Sequence, residues 1–370
     1  QGFWPATMYL EGLDQYRGWF QSSLLTAVGA FGEGAPFKEC VTHGWTVDGE
    51  GRAMHKSLGN GVDPADIFNE NGADILRLWA ASADYHADVR CSKAIFQQLS
   101  QNYLKFRNTC KFMLDNLVDF DPAHLTKAED MPVLDRWLIT KLNELIEKVE
   151  QSYNDYEFHI ITHAVNDFCV TTLSSFYLDI VKDRLYCEAA DSAERRSAQT
   201  ALYLTLSTLA KLFAPILAFT CDEIWLAMPH TAEDDARNVV LNDMNKPFTA
   251  YALDAETMAR WEHIIEVRTA VNGALEEARA AKVIGKSLEA DVHLTVPEGD
   301  VFLADENPAA LADLFIVSKV ELTVGGELAV KVENAAGTKC PRCWKHSLTP
   351  NAEGLCPRCA EVVRHLPDLL

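Results

Sequence analysis

The feature that most constrains the fold of this chain is a Cys-Pro-Arg-Cys motif that occurs twice near its end, at residues 340–343 and 356–359. Each copy can present two thiolates from one tight turn, and the twelve residues between the copies let both turns close on one tetrahedral ion. Four soft thiolates form a closed structural site, for which zinc is the natural metal. The sequence therefore predicts a zinc ribbon over residues 337–370 with four ligands: Cys340, Cys343, Cys356 and Cys359.

Two other interpretations of these cysteines stay open on the motif alone, a redox dithiol pair and an iron–sulfur cluster. Both are weaker, because a redox Cys-x-x-Cys motif normally occurs once, at the start of a helix. The remaining cysteines lack a framework spacing and are interpreted as small buried hydrophobic residues of a cytoplasmic protein. These are Cys40, Cys91, Cys110, Cys169, Cys187 and Cys221.

The composition is that of a globular protein, and 370 residues correspond to two or three domains. No stretch has the roughly 20 consecutive apolar residues of a membrane span, and no secretion signal is visible. We therefore expect a cytoplasmic protein with no membrane partner. The chain opens on Gln1 instead of Met, which favours a truncated reading frame.

The net charge of −21 argues against a generally basic nucleic-acid binder, although an acidic protein can keep local basic surfaces for phosphates. The last stretch of the chain is locally basic. Its cations are Lys339, Arg342, Lys345, Arg358 and Arg364. Taken singly, each of them is equally consistent with an ordinary solvated surface.

Residues 1–91 have the pattern of a mixed α/β domain. A β-like run over 41–47 ends in a glycine-containing turn. Asp63 precedes Pro64, which is the order of a helix N-cap and a first helical residue, and a helical stretch follows near 73–81.

Residues 92–250 are predicted to form a helical bundle, because apolar residues recur there at helical spacing. Four stripes carry the pattern: 95–117, 134–153, 158–178 and 202–217. Pro215 is expected to kink the last stripe, and the polar segment 231–245 is expected to be a loop.

Residues 251–336 predict a small α/β domain, because a helical stretch precedes runs that alternate like strands. The helix is expected over 258–281 and the strands over 291–296, 315–324 and 328–332. The fold class expected for the whole chain is therefore α/β plus all-α, ending in the zinc ribbon.

A glycine-flanked decapeptide at 51–60, Gly-Arg-Ala-Met-His-Lys-Ser-Leu-Gly-Asn, follows the first β-like run. A lysine and a serine beside flexible glycines can approach an anionic phosphate and then withdraw. Lys56 would stabilise charge that builds on a departing pyrophosphate, which helps most when the cation is aimed at the transition state. On the decapeptide alone, an ordinary exposed turn is the commoner structure.

A further candidate segment spans residues 9–25 and concentrates two carboxylates, an amide and a guanidinium beside Trp19 and Phe20. Carboxylate and amide side chains suit ribose hydroxyls, and an indole suits an apolar substrate wall. The alternative is the start of an amphipathic helix in which both aromatic residues belong to the core.

Together these motifs resemble class I aminoacyl-tRNA synthetases, and the isoleucyl-tRNA synthetase family in particular. Residues 53–57 (Ala-Met-His-Lys-Ser) are similar to the family's mobile Lys-Met-Ser-Lys-Ser loop, and residues 11–23 are similar to its adenylate-holding segment. The run 179–186 resembles part of the anticodon-binding helical domain, and the paired cysteine motifs with Trp344 resemble the terminal zinc module. The resemblance covers the whole chain in the right order, so it implies the C-terminal part of a Rossmann-type catalytic domain before the helical bundle.

The resemblance also implies contacts to an isoleucyl-adenylate. Glu11 and Gly12 would touch the adenylate, and Asp14 and Gln15 would lie near its ribose. Trp19 would line the pocket for the branched apolar side chain of isoleucine.

In the loop, the resemblance makes Lys56 and Ser57 the catalytic residues. Lys56 would bind the phosphates of ATP, and magnesium is expected to accompany ATP. Ser57 and Met54 would shape the loop. Trp344, Lys345 and neighbouring basic residues would help to dock the tRNA.

The implied reaction is the ATP-dependent ligation of L-isoleucine to tRNA(Ile). Isoleucine attacks the α-phosphate of ATP to give the adenylate and pyrophosphate, and the acyl group then moves to the terminal ribose of the tRNA. The protein contributes mainly positioning and electrostatic stabilisation to such a reaction.

Several features depart from the family pattern. Ala53 and His55 replace the first lysine and the first serine of the loop, which should weaken one phosphate contact, and Tyr16 stands where the family often has histidine. The His-x-Gly-His motif and the inserted editing domain do not occur in this sequence. We therefore expect a portion of a longer enzyme that cannot aminoacylate by itself.

Other functions fit the sequence less well. Valyl, leucyl and methionyl enzymes share the loop and the helical domain, but the four-cysteine ribbon and the Gly-Trp-Phe-Gln-Ser-Ser run favour isoleucine. A non-catalytic tRNA-binding protein derived from a synthetase would have no use for Glu11, Asp14 and Lys56. A zinc-ribbon transcription factor would leave the first 330 residues unexplained. A monomer is the expected oligomeric state.

Overall fold

The computed structural model describes residues 4–32, 34–304 and 308–366. It contains two small parallel sheets, a succession of long helices, a three-stranded sheet and a short terminal hairpin. The mixed fold class predicted from the sequence is therefore confirmed.

The chain divides into two compact units. The first comprises Gln1–Asn108, Lys148–Asn166 and Leu212–Glu223. The second comprises Thr109–Glu147, Asp167–Lys211 and Ile224–Leu370. The finer division into four domains stays a prediction.

The first unit opens with two parallel strands, β1 (Ala6–Gly12) and β2 (Phe37–His43). Helix α1 (Trp19–Thr26) lies between them in the chain. Gly12 pairs with His43 at the end of the ladder, so the carboxyl ends of both strands lie at one edge of the sheet.

The β-like run expected over 41–47 is divided between two sheets. After β2, the short strand β3 (Thr46–Val47) pairs in parallel with β4 (Val89–Arg90). The division occurs at Gly44, where a Cβ would lie 2.3 Å from the carbonyl oxygen of Ala87. Only glycine allows the backbone to approach so closely, and this contact depends on a segment far along the chain.

The predicted helix start at Asp63 is confirmed. Its carboxylate accepts a hydrogen bond of 2.9 Å from the amide of Ala65, and α2 (Pro64–Asn71) begins at the following residue. The next helix, α3 (Ala73–Ser82), matches the predicted helical stretch.

The four apolar stripes of the central region are largely helical, as predicted, and the described helices there are more numerous than the stripes. They are α4 (Lys93–Asp115), α5 (Val133–Asn154), α6 (Phe158–Asp167), α7 (Leu178–Ile180), α8 (Lys182–Cys187), α9 (Ala193–Phe213) and α10 (Ala218–Ala227). A π-helical segment, Phe168–Tyr177, joins α6 to α7.

The predicted kink at Pro215 is wrong, because the helix ends instead of bending. α9 stops at Phe213 and the next helix begins at Ala218. Proline lacks the amide that would continue the helix and disfavours a helical conformation in the residue before it. The carbonyls of Pro215 and Ile216 accept hydrogen bonds of 2.7 and 2.9 Å from the guanidinium of Arg77.

The segment from residue 231 to residue 245 is a loop, as predicted, with one short 3-10 turn at Val239–Leu241. The elements that follow build a small α/β arrangement. They are α11 (Ala255–Ala280), β5 (Ala290–Val296), α12 (Pro308–Phe315), β6 (Lys319–Val324) and β7 (Ala329–Asn334).

In the three-stranded sheet, β5 is central, parallel to β6 and antiparallel to β7. Alternate residues of β5 are buried, which is the pattern of a strand with one face on the core. The strand expected over 315–324 is shorter than predicted, because Phe315 is the last residue of α12 and the strand begins only at Lys319.

The chain ends in the cysteine module. Its described elements are β8 (Thr338–Lys339), β9 (His346–Ser347) and α13 (Pro357–Arg364), and the two strands pair antiparallel. Within the described residues, no helix combines the length and the apolar character that crossing a membrane requires.

A buried carboxylate joins four helical segments of the second unit. Asp135 of α5 is fully buried and accepts from the hydroxyl of Tyr177 at 2.8 Å and from that of Ser197 at 2.5 Å. It also binds the guanidinium of Arg184 through two hydrogen bonds of 3.0 and 2.8 Å. One side chain thereby connects α5, the π-helical segment, α8 and α9.

Asp135→Asn should lower the free energy of unfolding by about 3–5 kcal/mol, because Arg184 would keep a largely buried charge without a carboxylate partner. Urea denaturation followed by far-UV circular dichroism measures the change. Asp115→Asn is the matched control, since that exposed carboxylate pairs with Lys111 at 2.8 Å in solvent. It should change stability by less than about 1 kcal/mol, and equal losses in both variants would contradict the assigned role.

Candidate active site and metal centre

The first candidate segment begins where β1 ends. Because β1 and β2 are parallel, the residues after Gly12 and after His43 leave the sheet at the same edge. Ligands of open α/β sheets bind outside the carboxyl ends of the strands. The segment predicted to hold an adenylate therefore lies at the edge where this fold places its ligands.

The polar side chains of this segment fold back over two glycines. Gln15 Nε2 donates to Asp14 Oδ2 at 3.2 Å, and Gln15 Oε1 accepts from the amide of Trp19 at 2.9 Å. A Cβ on Gly12 would lie 2.9 Å from Asp14 Oδ1, and one on Gly18 would lie 2.8 Å from Gln15 Oε1. The carboxylate and the amide thus occupy space that any other residue at the two glycine positions would fill.

The two aromatic residues of the segment have different environments. Phe20 is buried, whereas the Trp19 side chain is 55% exposed and stacks on Tyr9 with ring centroids 6.1 Å apart. Only Phe20 therefore belongs to the core, and the exposed ring of Trp19 is available to line a substrate pocket. Glu11, the last but one residue of β1, is exposed.

The glycine-flanked loop is tied at its base by two side chains that the sequence analysis did not single out, Asp48 and Asn60. The carboxylate of Asp48 accepts from the amide and the Nε of Arg52 at 2.9 and 2.8 Å and from Asn60 Nδ2 at 2.9 Å. The hydrogen bonds from Asn60 and from the Arg52 amide hold the pKa of Asp48 well below its usual range. The dipeptide Asp-Gly at 48–49 was the available signal, since it is typical of an Asx turn.

Asn60 also accepts a hydrogen bond of 2.9 Å from the amide of His55 and donates one of 3.1 Å to the carbonyl of Ala53. Met54 is half-buried and packs on an apolar cluster of the first unit. The cluster consists of Ile67, Ile75, Cys91 and Phe96. The loop is therefore held at one side by hydrogen bonds and at the other by an apolar anchor.

The predicted catalytic pair lies in a short 3-10 turn, Lys56–Leu58. Ser57 is exposed there, and the side chain of Lys56 lies outside the described part of the structure. In that described part, no hydrogen bond or ion pair joins the loop to the segment from Glu11 to Trp19. The structure assembles the two candidate segments separately.

Asn60→Ala should increase hydrogen exchange of the His55 amide about tenfold, because the variant removes its acceptor and loosens the loop. Hydrogen–deuterium exchange read by mass spectrometry over peptides that cover 49–60 measures the change. Asn71→Ala is the matched control, since its side chain makes one hydrogen bond of 3.4 Å to Ser100 outside the loop. Unchanged exchange in the Asn60 variant would show that other contacts hold the loop.

The four cysteines of the repeated motif converge. Their sulfur atoms all lie within 4.8 Å of one another, and the Sγ atoms of Cys343 and Cys356 are 3.8 Å apart. Metal–sulfur bonds of about 2.3 Å in a tetrahedron place sulfurs about 3.8 Å apart. The donor set and its spacing therefore fit a tetrahedral metal ion.

The surroundings act differently on the four thiols, and burial raises the pKa of Cys343 and of Cys359. Cys356 caps α13, and its sulfur accepts from the amide of Cys359 at 3.5 Å. Burial opposes ionisation of Cys340, but hydrogen bonds from the amides of Cys343, Cys356 and Arg342 lower its pKa to about 6. A thiolate that forms at neutral pH is the species that binds metal.

The basic tail of the sequence is not a free basic surface. Four of its five cations form ion pairs with carboxylates: Lys339 with Glu289, Lys345 with Asp313, Arg358 with Asp183 and Glu188, and Arg364 with Glu361. Trp344 is 53% exposed, and the ammonium of Lys286 lies 5.3 Å from the centre of its ring. Of the residues predicted to dock tRNA, Trp344 is thus available, and Lys345 is engaged within the protein.

Two regions of the sequence match known protein families. Residues 1–92 match the family described as "tRNA synthetases class I (I, L, M and V)", and residues 135–294 match the "Anticodon-binding domain of tRNA ligase". The chain belongs to the class I tRNA synthetases.

Within that class, the curated relatives of this chain are isoleucine–tRNA ligases. It is 47% identical to the Moorella thermoacetica ligase over 98% of its own length and 41% of that protein, and 47% identical to the Syntrophotalea carbinolica ligase over 97% and 40%. The Caldanaerobacter subterraneus ligase is 45% identical over 96% and 40%. The chain spans about two fifths of the length of these relatives.

Solved structures share the fold. The Agrobacterium radiobacter LeuRS, determined in a ternary complex with tRNA and LeuAMS, superposes with a TM-score of 0.51 and 17% identity over 89% of this chain and 32% of that one. The Mycobacterium tuberculosis methionyl-tRNA synthetase, determined with methionyl-adenylate, has a TM-score of 0.52 and 20% identity over 60% of this chain and 44% of that one.

Proposed function

We propose that this chain supplies part of the active site and the tRNA-binding region of an isoleucine–tRNA ligase. The complete enzyme would join L-isoleucine to tRNA(Ile) with ATP, through an isoleucyl-adenylate. The observation that carries this proposal is the similarity to isoleucine–tRNA ligases along nearly the whole chain, with 47% sequence identity to the Moorella thermoacetica protein. The M. tuberculosis neighbour, which holds methionyl-adenylate, supports an adenylate as the ligand.

The turn after β1 is the proposed adenylate site. Asp14 and Gln15 offer a carboxylate and an amide to the ribose hydroxyls, and Glu11 and Gly12 offer the end of the strand to the adenylate. Trp19, exposed and stacked on Tyr9, would form a wall for the isoleucine side chain.

The loop at 51–60 is the proposed phosphate-binding element. Lys56 would stabilise the negative charge that develops on pyrophosphate, while Ser57 and Met54 would set the shape of the loop. Magnesium is expected to accompany ATP. The hydrogen bonds of Asp48 and Asn60 fix the base of the loop and leave its tip able to approach the phosphates.

The four-cysteine cluster is proposed to hold one structural zinc ion. Cys340, Cys343, Cys356 and Cys359 would be its ligands, and their soft, closed donor set leaves no coordination position for catalysis. Such a site needs reduced thiols, which supports a cytoplasmic location.

tRNA(Ile) is the proposed macromolecular partner. The anticodon-binding match over residues 135–294 supports it, as does the A. radiobacter neighbour determined with tRNA. Trp344, exposed beneath Lys286, is the proposed stacking surface in the cysteine module. A monomer is the proposed oligomeric state.

A chimaera tests the catalytic proposal. The aligned two fifths of the Moorella thermoacetica ligase are replaced by this chain, and isoleucine-dependent ATP–pyrophosphate exchange and aminoacylation of tRNA(Ile) are measured. We expect both activities in the chimaera and neither in the isolated 370-residue chain. An inactive chimaera that folds like its parent would contradict the proposal, and binding of tRNA without exchange would favour a non-catalytic tRNA-binding protein.

Lys56→Ala in the chimaera should slow pyrophosphate exchange about 100-fold or more, because the developing phosphate charge loses its cation. Lys93→Ala removes an equal charge from the exposed start of α4, where Lys93 pairs with Glu70, and should leave the rate unchanged. Equal rates in the two variants would remove Lys56 from the mechanism.

Elemental analysis of the purified chain should find one zinc per chain. Cys356→Ser should retain less than about a tenth of it, because metal binding is coupled to folding of the module. Cys40→Ser alters an exposed free cysteine of β2 and should leave the zinc content unchanged. Iron in place of zinc would revive the iron–sulfur interpretation.

A further inference from the structure

Each Cys-Pro-Arg-Cys motif carries an arginine between its two cysteines, and metal ligation does not account for either arginine. Arg342 and Arg358 both bind the short helix α8 in the helical region of the second unit. α8 lies more than a hundred residues earlier in the sequence, so neither contact follows from the local motif.

Arg342 caps α8. Its Nη1 donates to the carbonyl of Cys187 and its Nη2 donates to the carbonyl of Tyr186 at 3.4 Å. The last carbonyls of a helix have no partner within the helix, and a cation is favourable at that end of the helix dipole. The Cys187 thiol returns a hydrogen bond of 3.8 Å to the carbonyl of Arg342.

Arg358 forms a forked ion pair with Asp183 in the first turn of α8 and also reaches Glu188, which follows the last residue of the helix. Its two terminal nitrogens bind the carboxylate of Asp183 at 2.5 and 2.8 Å, and Nη1 also binds Glu188 at 2.7 Å. Both carboxylates are largely buried, with 19% of each side chain exposed. Such a bidentate pair has a defined geometry, and lysine cannot reproduce it.

A groove lies between α8 and the cysteine module, with a cavity volume of about 460 Å³. Tyr186 and Trp344, which are 57% and 53% exposed, line it together with Lys182. Arg342 lies in its wall. The cysteine module therefore supplies one wall of the groove and α8 supplies another.

We propose that Arg342 and Arg358 are positioning residues that fasten the metal-bound module to α8 and so form the groove between them. The proposal rests on the proposed function where it assigns this groove to tRNA. Exposed aromatic rings beside cations suit an unstacked nucleotide.

A bound metal ion would affect the contact with α8 by orienting the two arginines. Each arginine lies in a turn that begins and ends with a metal ligand, and Arg342 Nη1 also lies 3.7 Å from the sulfur of Cys359 in the other turn. Closing both turns on one ion would hold the two guanidinium groups in the geometry that α8 accepts. Arg342, which lies beside the sulfur of Cys359, would also offset part of the negative charge of four thiolates around a divalent ion.

The test uses the full chain with Arg342→Gln and Arg358→Gln, and Arg364→Gln as the matched control. Arg364 lies in α13 as Arg358 does, but among the described residues its ion-pair partner is the exposed Glu361 of the same helix. Three quantities are measured: zinc content, hydrogen exchange of peptides over 182–188, and the dissociation constant for tRNA(Ile).

We expect both substitutions to keep the zinc while exchange at the end of α8 rises and tRNA binding weakens about tenfold. The Arg364 variant should match the wild type in all three measurements. Wild-type exchange in the Arg342 and Arg358 variants would overturn the proposal, and so would loss of zinc in parallel with the change in exchange.

A charge exchange guards against a variant that merely folds poorly. Arg358→Asp and Asp183→Arg should each loosen α8, and the double variant should restore protection at α8, because the ion pair is rebuilt in reverse. Failure of the double variant to restore it, while it retains zinc, would overturn the pairing. If the wild-type chain does not bind tRNA(Ile), the proposed function fails, and the exchange measurements still decide the role of the arginines.

Discussion

The buried carboxylate of Asp135 is the interaction on which the second unit depends. A charge with no exposed surface is tolerated only when its lone pairs are satisfied, and here two hydroxyls and a forked guanidinium satisfy them. The guanidinium belongs to Arg184 of α8, so the network sets the position of this helix within the bundle. The contacts that α8 makes with the cysteine module therefore depend on this network.

Two neighbouring residues of α8 connect this network to the cysteine module. Arg184 turns to the buried carboxylate of the bundle, and Asp183 turns to Arg358 in the cysteine module. The helix therefore lies between two ion pairs, one in the core of the bundle and one beside the candidate metal centre. The cysteine module is therefore not a self-contained terminal fold, because its arginines bind acceptors that belong to the bundle.

The candidate active site in the first unit is held by hydrogen bonds and by close approaches to glycines instead of a buried ion pair. Gly12 and Gly18 leave room for two polar side chains at the carboxyl edge of a parallel pair of strands, and Asp48 and Asn60 tie the base of the loop at 51–60. Hydrogen bonds of this kind hold a segment in place without burying it. A ligand that approaches either segment can therefore still displace it, which would suit the role proposed for the loop.

Local chemistry was sufficient for part of this protein. The spacing of the cysteines, the Asp63–Pro64 helix start and the apolar stripes each depend on residues close in sequence, so the sequence by itself determined the thiol cluster, most helices and the segments resembling a synthetase. The tertiary structure alone decided where the β-like run divides at Gly44 and that α9 ends before Pro215. It also paired three cations of the basic tail, Lys339, Lys345 and Arg358, with carboxylates distant in the chain: Arg358 and Asp183 are 175 residues apart. Ion pairs over such separations depend on the packing of intervening elements, and no local pattern in the sequence records them.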